Sequence, residues 1–262
     1  MDVLSLQRQF KEAIRAGQPT LGFFVRTPAV QIVEALGHCG ADFIVLDAEH
    51  APFGLAELNV CILAARSAGI PALVRLGDPQ AANILQILDM GAAGIIVPHV
   101  GSADTARAAI AACHYENGSR GFAGQHRAAA YGTLSGAEYR KASDESVIVI
   151  AQIEDTEGLR NIAEIAGVGD LDAVFVGRAD LAVSMGCDDI NEPTVVAATD
   201  AILAASNKAN RASGIFLTTT KDIGKFREKG ASLIAIGTDQ SLLIDTARGI
   251  SNEFRTATGR SQ

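Results

Sequence analysis

The stretch "VIVIAQIEDTEGLRNIAEIAGVGDLDAVFVGRADL" (147–181) contains the repeating unit that decides the fold. It opens with an apolar run at 147–153, whose length is typical of a buried parallel strand. A segment with helical periodicity follows, and we expect Thr156 to cap its start and Gly167 or Gly169 to end it. A second apolar run, "AVFV" (173–176), then opens the next unit. The stretch therefore predicts a strand, a helix and a second strand of one parallel sheet.

The same unit recurs along the whole chain. Apolar runs typical of buried strands lie at 21–25, 43–47, 72–75, 94–98, 147–153, 173–176, 214–217 and 233–236. Helical signals lie between them, for example Asp78 as an N-cap with Pro79 at the first helical position, and Gly91 after the helix end. About eight strand–helix units predict a (β/α)₈ TIM barrel. The main alternative is a doubly wound open sheet. It usually has fewer strands, and its nucleotide-binding form needs G-x-G-x-x-G where this chain has "VRTPAV".

One connection, 114–146, is longer than the others and contains "NGSRGFAGQHRAAAYG". We expect a short helix in it and a role as a lid or substrate loop. No domain boundary is visible in the composition, so the sequence predicts a single domain over 1–262.

The composition predicts a cytoplasmic protein. Hydrophobic residues make up 48% of the 262 residues and charged residues 20%, which permits a sizeable core. The net charge of −8 argues against a nucleic-acid partner. The N-terminus lacks the apolar core of a signal peptide, and no stretch is suited to spanning a membrane. No C-x-x-C spacing occurs among the four cysteines, which are typical of reduced cytosolic thiols: Cys39, Cys61, Cys113 and Cys187.

Titratable side chains follow the strands, where a TIM barrel has its active site. The sequence places these residues at the carboxyl ends of strands 2 to 8: Asp47, Glu49, His50, Arg75, His99, Gln152, Glu154, Arg178, Asp180, Thr218 and Asp239. Several have structural interpretations as well. Asp239 is expected to be a helix cap, His99 is more often a hydrogen-bonded structural residue than a ligand, and Glu49 is either a solvated loop acid or a site residue.

The pattern at this face favours a metal-dependent enzyme. Glu154 and Asp180 can converge on one point, and paired carboxylates favour a hard divalent cation such as Mg²⁺ or Mn²⁺. Arg75 ends an apolar strand, where its charge needs an anionic substrate or a nearby acid as partner. A cation and Arg75 could together stabilise the enolate of a 2-oxo acid, and His50 is the obvious group to move a proton. Any metal-using barrel enzyme could show this pattern.

The motifs give a more specific prediction. The segments "FIVLDAEHAP", "ALVRLGDP", "QILDMGAAGIIVPHV", "RGFAG", "IAQIEDTEGLRNI", "VFVGRADLAVSMG" and "GIF" occur in this order at strand ends. In them the chain resembles the metal-dependent (class II) pyruvate aldolases of the 4-hydroxy-2-oxoheptanedioate aldolase and 2-keto-3-deoxy-L-rhamnonate aldolase family. The resemblance covers almost the whole chain.

The resemblance implies roles for the residues at the barrel mouth. Glu154 and Asp180 would bind Mg²⁺, Mn²⁺ or Co²⁺, and Arg75 would hold the keto oxygen of pyruvate. His50 would be the catalytic base, working through a metal-bound water, and Asp47 would support it.

The resemblance also implies a substrate pocket. Gln152 would contact the pyruvyl group, and the backbone at Ala179 and Asp180 would receive its carboxylate. Phe24 and Phe216, with residues of a neighbouring subunit, would line the pocket for the aldehyde.

The resemblance also implies an assembly, and the chain departs from the family at a few positions. The family forms hexamers that exchange their last helices between subunits, and Asp89 matches an acid that partners a neighbouring subunit's histidine. This chain has Arg178 where better-known members have Pro, and Phe24 in place of Trp. His99 replaces an apolar residue, as in the macrophomate synthase branch, where such a histidine joins the metal shell.

The favoured function is reversible cleavage of a 4-hydroxy-2-oxo acid to pyruvate, or a related 2-oxo acid, and an aldehyde, through a metal-bound enolate. The alternative is oxaloacetate decarboxylation or another use of the same enolate. A phosphate-sugar epimerase is disfavoured because "FLTTTK" and Gly237 make a poor phosphate site. A binding protein for 2-oxo acids is disfavoured by the candidate base His50.

Overall fold

The chain folds into a closed barrel of eight parallel strands, as predicted. The structure is a computed structural model and describes residues 3–260. Each strand pairs with the next, and the last pairs with the first. The strands are β1 Thr20–Val25, β2 Phe43–Asp47, β3 Ala72–Arg75, β4 Gly94–Val97, β5 Ile148–Ile153, β6 Ala173–Val176, β7 Ala212–Leu217 and β8 Ala231–Thr238.

One helix precedes β1, and the others follow the strands in turn and cover the outside of the barrel. They are α1 Val3–Arg15, α2 Val30–Gly37, α3 Leu55–Ser67, α4 Ala81–Met90, α5 Ala103–Cys113, α6 Gly136–Ser146, α7 Thr156–Arg160, α8 Ile162–Ala166, α9 Arg178–Ser184, α10 Pro193–Lys208, α11 Ile223–Glu228 and α12 Asp239–Thr258. The long connection 114–146 contains α6 and a 3₁₀ turn, Arg127–Gly132. None of the helices within residues 3–260 is long and apolar enough to cross a membrane.

The start of α4 differs from the prediction. The helix begins at Ala81 and Gln80 is its N-cap, so Asp78 does not cap it and Pro79 is not its first residue. Asp78 instead accepts a hydrogen bond from the backbone N–H of Gln80 at 3.3 Å, because a short acidic side chain readily closes such a local turn. The expected end is right, since Gly91 is the C-cap with φ 99°.

Two other predicted caps are also displaced by one residue. Asp155, rather than Thr156, caps α7 by accepting the backbone N–H of Gly158 at 2.7 Å. Thr238, rather than Asp239, caps α12. Both carboxylate oxygens of Asp239 instead accept backbone N–H groups of the segment after β1, from Arg26 at 2.7 Å and Thr27 at 3.2 Å.

The helical stretch after β5 is also interrupted, at Asn161, where the backbone leaves helical geometry at φ −97° and ψ 7°. The Asn161 side chain donates to the carbonyl of Gly101 at 2.7 Å, which anchors this break to the preceding barrel unit.

The amino-terminal end of the barrel is closed by apolar side chains. Phe10 of α1 stacks on Phe43 of β2, with ring centroids 5.3 Å apart. Gly22 is required beside them, because an added Cβ would lie 2.3 Å from the Phe43 ring. Because apolar side chains fill this end, the polar residues predicted to form the site lie at the carboxyl ends of the strands.

Candidate active site and metal centre

The carboxyl ends of the strands surround a cavity of about 360 Å³. Seven of the side chains predicted to form the site line it: Phe24, His50, Arg75, Gln152, Ala179, Asp180 and Phe216. The barrel therefore brings together most of the proposed catalytic and substrate residues. Asp89 is not among the lining residues.

Asp47 and Arg75 form a buried ion pair because their strands are in register at these two residues. Arg75 Nε and Nη2 donate to the two carboxylate oxygens of Asp47 at 2.9 and 2.8 Å. Burial of Asp47 opposes its ionisation, but the hydrogen bonds and charge of Arg75 outweigh it and lower the pKa of Asp47. The sequence predicted either an anionic substrate or a nearby acid as the partner of Arg75, and the structure shows an acid, Asp47. Arg75 lines the cavity, and its guanidinium carbon Cζ lies 5.0 Å from the centre of the Phe24 ring.

Arg26 is a second arginine at this pair, and the sequence reasoning missed it. Its Nε donates to Asp47 Oδ2 at 2.9 Å, and its side chain is 36% exposed. The signal was present in the sequence, because Arg26 follows β1 directly, as Arg75 ends β3.

Three side chains form a candidate metal centre. Among the described residues, ligand atoms of Glu49, His99 and Glu154 all lie within 4.8 Å of one another. His99 Nε2 lies 3.4 Å from Glu49 and His99 Nδ1 lies 3.4 Å from Glu154. Glu49 is therefore a member of this group rather than a solvated loop acid. Asp180 lies outside the group, although it lines the adjoining cavity.

The backbone supports this centre at two points. His99 has φ 51°, a left-handed conformation that is uncommon for a residue with a Cβ. Its N–H donates to Glu154 at 2.8 Å, which compensates for the unusual conformation. Gly177 leaves room for the carboxylate, because a Cβ there would lie 2.6 Å from Glu154 Oε2.

The electrostatics of the centre fit a divalent cation. Burial raises the pKa of Glu154, and the charge of Glu49 adds to this, against hydrogen bonds from Gln152 and His99. At this centre, the buried oxygens Glu49 Oε2 and Gln152 Oε1 accept no hydrogen bond, and Arg75 Nη1 lies 3.2 Å from the first of them. Two crowded carboxylates and an imidazole offer oxygen and nitrogen ligands of the kind that Mn²⁺ or Co²⁺ accepts, and the carboxylates suit Mg²⁺. These residues could hold such a cation and relieve the repulsion between the acids.

His50 lies at the edge of the cavity. Its backbone N–H donates to Asp47 Oδ1 at 3.2 Å, which fixes the loop after β2. Its ring is 44% exposed, and Nε2 lies 3.8 Å from Glu49 Oε2. A half-exposed imidazole beside a cavity can exchange protons with a bound molecule and with water.

The first turn of α9 offers backbone donors to the cavity. The helix begins at Arg178 with Gly177 as its N-cap, so the N–H groups of Ala179 and Asp180 fall in the first turn, where no intrahelical acceptor exists. Arg178 also lines the cavity, while its guanidinium contacts neighbouring segments of the chain. Its Nη2 donates to the carbonyl of Ile190 at 2.9 Å, and its guanidinium lies 5.2 Å from the Phe226 ring. Burial lowers the pKa of Arg178.

Asp89, near the end of α4, contacts the long connection 114–146. It accepts a hydrogen bond from Arg120 Nη2 at 2.8 Å and lies 3.4 Å from His126 Nε2. Burial lowers the pKa of His126 despite the nearby carboxylate. Within this chain, Asp89 therefore contacts basic groups of the connection 114–146. Its proposed role toward another subunit stays a prediction.

Comparison with known proteins identifies the family. Residues 20–246 match the HpcH/HpaI aldolase/citrate lyase family. The chain is 35% identical to a hydroxypyruvate/pyruvate aldolase of Sagittula stellata, over 90% of this chain and 94% of that protein. It is 31% identical to a 4-hydroxy-2-oxo-heptane-1,7-dioate aldolase of Salmonella dublin, over 95% of both chains. A crystal structure of a family member from Burkholderia cenocepacia superposes with a TM-score of 0.90 at 32% identity, over 95% of this chain and 99% of that chain. As its strand-end motifs predicted, the chain belongs to the HpcH/HpaI aldolase/citrate lyase family.

Proposed function

We propose that the chain is a divalent-metal-dependent aldolase that reversibly cleaves 4-hydroxy-2-oxo acids to pyruvate, or a related 2-oxo acid, and an aldehyde. The observation that carries the proposal is the fixed Arg75–Asp47 pair beside the crowded carboxylates Glu49 and Glu154. A rigid guanidinium next to a group of cation ligands suits a reaction that develops negative charge on an oxygen. The aldolase names of the relatives support the same activity.

The chain's own residues divide the work. Glu154, with Glu49 and His99, would hold the cation, and by resemblance Asp180 would add a ligand. When bound, Mg²⁺, Mn²⁺ or Co²⁺ supplies Lewis-acid stabilisation of enolate charge. Asp47 holds Nε and Nη2 of Arg75, so the amino group that would donate to the keto oxygen of the substrate is Nη1, which lies 3.2 Å from Glu49 Oε2.

The other cavity residues position and deprotonate the substrate. We assign the carboxylate of pyruvate to the backbone N–H groups of Ala179 and Asp180, and the pyruvyl group to Gln152. His50 takes the proton from the C4 hydroxyl in cleavage and from the methyl group in the reverse direction. Phe24 and Phe216 form an edge-to-face pair with ring centroids 5.5 Å apart, which gives the aldehyde an apolar wall.

We also propose a homo-oligomer in the cytoplasm, as a hexamer that exchanges α12 between subunits. The outward side chains of α12 support this proposal, since Leu243, Ile250 and Phe254 are 69%, 63% and 55% exposed. A large apolar face on a surface helix favours burial against another chain. Asp89 would then support a histidine of the neighbouring subunit, as the resemblance implies.

Two rates on one preparation test the reaction. Pyruvate release from a 4-hydroxy-2-oxo acid and decay of oxaloacetate should be measured with Mg²⁺, Mn²⁺ and Co²⁺. We expect aldol cleavage to be the faster reaction for at least one substrate, because the cavity has an apolar wall suited to an aldehyde. Faster oxaloacetate decay with every substrate and metal would favour the decarboxylase alternative.

A further inference from the structure

Arg26 is held at the barrel mouth by two contacts. Its backbone N–H donates to Asp239 at the start of α12, and its Nε donates to Asp47 at the end of β2. The side chain lines the same cavity as Arg75 and Phe216. Its guanidinium therefore has a fixed place beside the proposed reaction site.

The two arginines share Asp47 unequally. Arg75 takes both carboxylate oxygens, is only 7% exposed in its side chain, and has Glu49 on its third side at 3.2 Å. Arg26 contacts one oxygen through Nε and is 36% exposed. Within residues 3–260, the two terminal amino groups of Arg26 donate no hydrogen bond, and its hydrogen bond to Asp47 is made through Nε alone. Arg75 thus has two carboxylate partners, Asp47 and Glu49, whereas Arg26 has one contact with Asp47 and is the more exposed of the two arginines.

This leaves a donor pair of defined chemistry in the cavity. A planar guanidinium binds a carboxylate through two parallel N–H groups. In the proposed function, the carboxylate of pyruvate is assigned to the backbone N–H groups of Ala179 and Asp180. Arg26 is therefore available to a second anionic group of the substrate. The Phe24–Phe216 pair offers an apolar surface for the substrate carbon atoms that lie between the two anionic groups.

We propose that Arg26 is a specificity-determining residue that selects aldehydes carrying a carboxylate at the end opposite the reacting carbonyl. The corresponding substrate in the cleavage direction is a 4-hydroxy-2-oxo acid with a second carboxylate. This inference rests on the proposed aldolase function and adds the class of aldehyde to it.

The test compares acids with their methyl esters. Wild type, Arg26→Gln and Arg26→Lys are assayed with saturating pyruvate, Mn²⁺, and the aldehydes glyoxylate, 4-oxobutanoate and 5-oxopentanoate, each beside its methyl ester. Both members of a pair react with the same enolate, so any loss of enolate formation in a variant cancels in the acid-to-ester ratio of kcat/KM. The matched control is Arg107→Gln, since Arg107 is also paired with one acid, Asp104, but lies outside the cavity.

We expect wild type to prefer the acid of at least one pair, and Arg26→Gln to lower that preference about tenfold, the effect of losing a half-exposed hydrogen bond between charged groups. Arg26→Lys should keep part of the preference, because its charge remains without the planar fork. Arg107→Gln should leave the ratio unchanged. High salt should weaken the wild-type preference, which provides a measurement that needs no variant.

Three outcomes overturn the inference. They are a wild-type ratio near one for every pair, a ratio that Arg26→Gln does not change, and an Arg26→Gln defect confined to the KM of pyruvate. Exchange of pyruvate methyl protons into deuterated water, measured without aldehyde, distinguishes failure of the proposed function from failure of this inference alone. If wild type exchanges no protons with any divalent metal, the proposed function fails together with this inference, whereas exchange with an unaltered ratio removes this inference alone.

Discussion

The carboxylate of Asp47 organises the site at the scale of single residues. Its two oxygens accept two hydrogen bonds from Arg75, one from Arg26 and one from the backbone N–H of His50. One buried acid thereby positions Arg75, the loop that carries the proposed base His50, and Arg26, the proposed specificity residue. Removing a partner of such a buried network leaves an unpaired charge, which is strongly destabilising.

His50 and Arg75 should fail in different ways when replaced. His50→Ala removes the group that can accept a proton, so exchange of pyruvate methyl protons into deuterated water should fall about 10²- to 10⁴-fold, the usual contribution of general base catalysis. Pyruvate should still bind. Arg75→Lys keeps a charge but loses the bidentate bond to Asp47, so both turnover and pyruvate affinity should fall.

Both effects can be measured on the same samples, with exchange followed by NMR and pyruvate affinity by titration. If His50→Ala exchanges protons as fast as wild type at pH 7 to 8, His50 is not the base. Glu49, whose carboxylate lies 3.8 Å from the His50 ring, would then be the next candidate.

The sequence predicted many of the residues at the mouth but not their contacts. Residue types at strand ends indicated Arg75, Gln152 and Glu154, because the barrel carries all such ends to one face. The group formed by Glu49, His99 and Glu154 depends on the left-handed backbone at His99, which side-chain patterns do not reveal. Arg26 was missed because one arginine after a strand resembles an ordinary loop residue.

At the scale of elements, strands were easier to predict than helix ends. Buried parallel strands are continuous apolar runs, and each predicted run corresponds to an observed strand. Helix starts were displaced at Thr156 and Asp239 because each site has two adjacent capping residues. Only tertiary contacts decide which of them caps, such as the hydrogen bond that Asp239 accepts from the backbone N–H of Arg26, just after β1.

The exposed face of α12 gives a prediction about assembly. Leu243, Ile250 and Phe254 share one side of the helix. Ile250→Glu should therefore weaken subunit association, because it places a charge in the proposed apolar interface. Light scattering should report a lower molar mass for this variant.

A substitution on the opposite side of α12 serves as control. Asn252→Glu adds the same charge at an exposed position away from the apolar side and should leave the molar mass unchanged. Equal effects of the two substitutions, or a monomeric wild type, would contradict the oligomer proposal.

At the scale of the whole molecule, the two ends of the barrel differ: one is filled by apolar side chains that stabilise the fold, and the other carries the polar residues of the proposed site. Phe10 and Phe43 fill the amino-terminal end, and the acids and arginines lie at the carboxyl end. The described residues that line the mouth cavity include no lysine. A Schiff-base mechanism needs such a lysine, so the architecture favours a cation held by Glu49, His99 and Glu154 as the source of enolate stabilisation.

The central claim is that this barrel forms a pyruvate enolate with the help of a divalent cation, and proton exchange into deuterated water without aldehyde tests it most directly. Wild-type protein should be treated with EDTA, verified as metal-free, and assayed before and after addition of Mg²⁺, Mn²⁺ or Co²⁺. The account predicts that chelation abolishes the exchange of methyl protons and that at least one of these metals restores it. An undiminished exchange rate in the metal-free protein, or trapping of a pyruvyl-lysine adduct by borohydride, would contradict it.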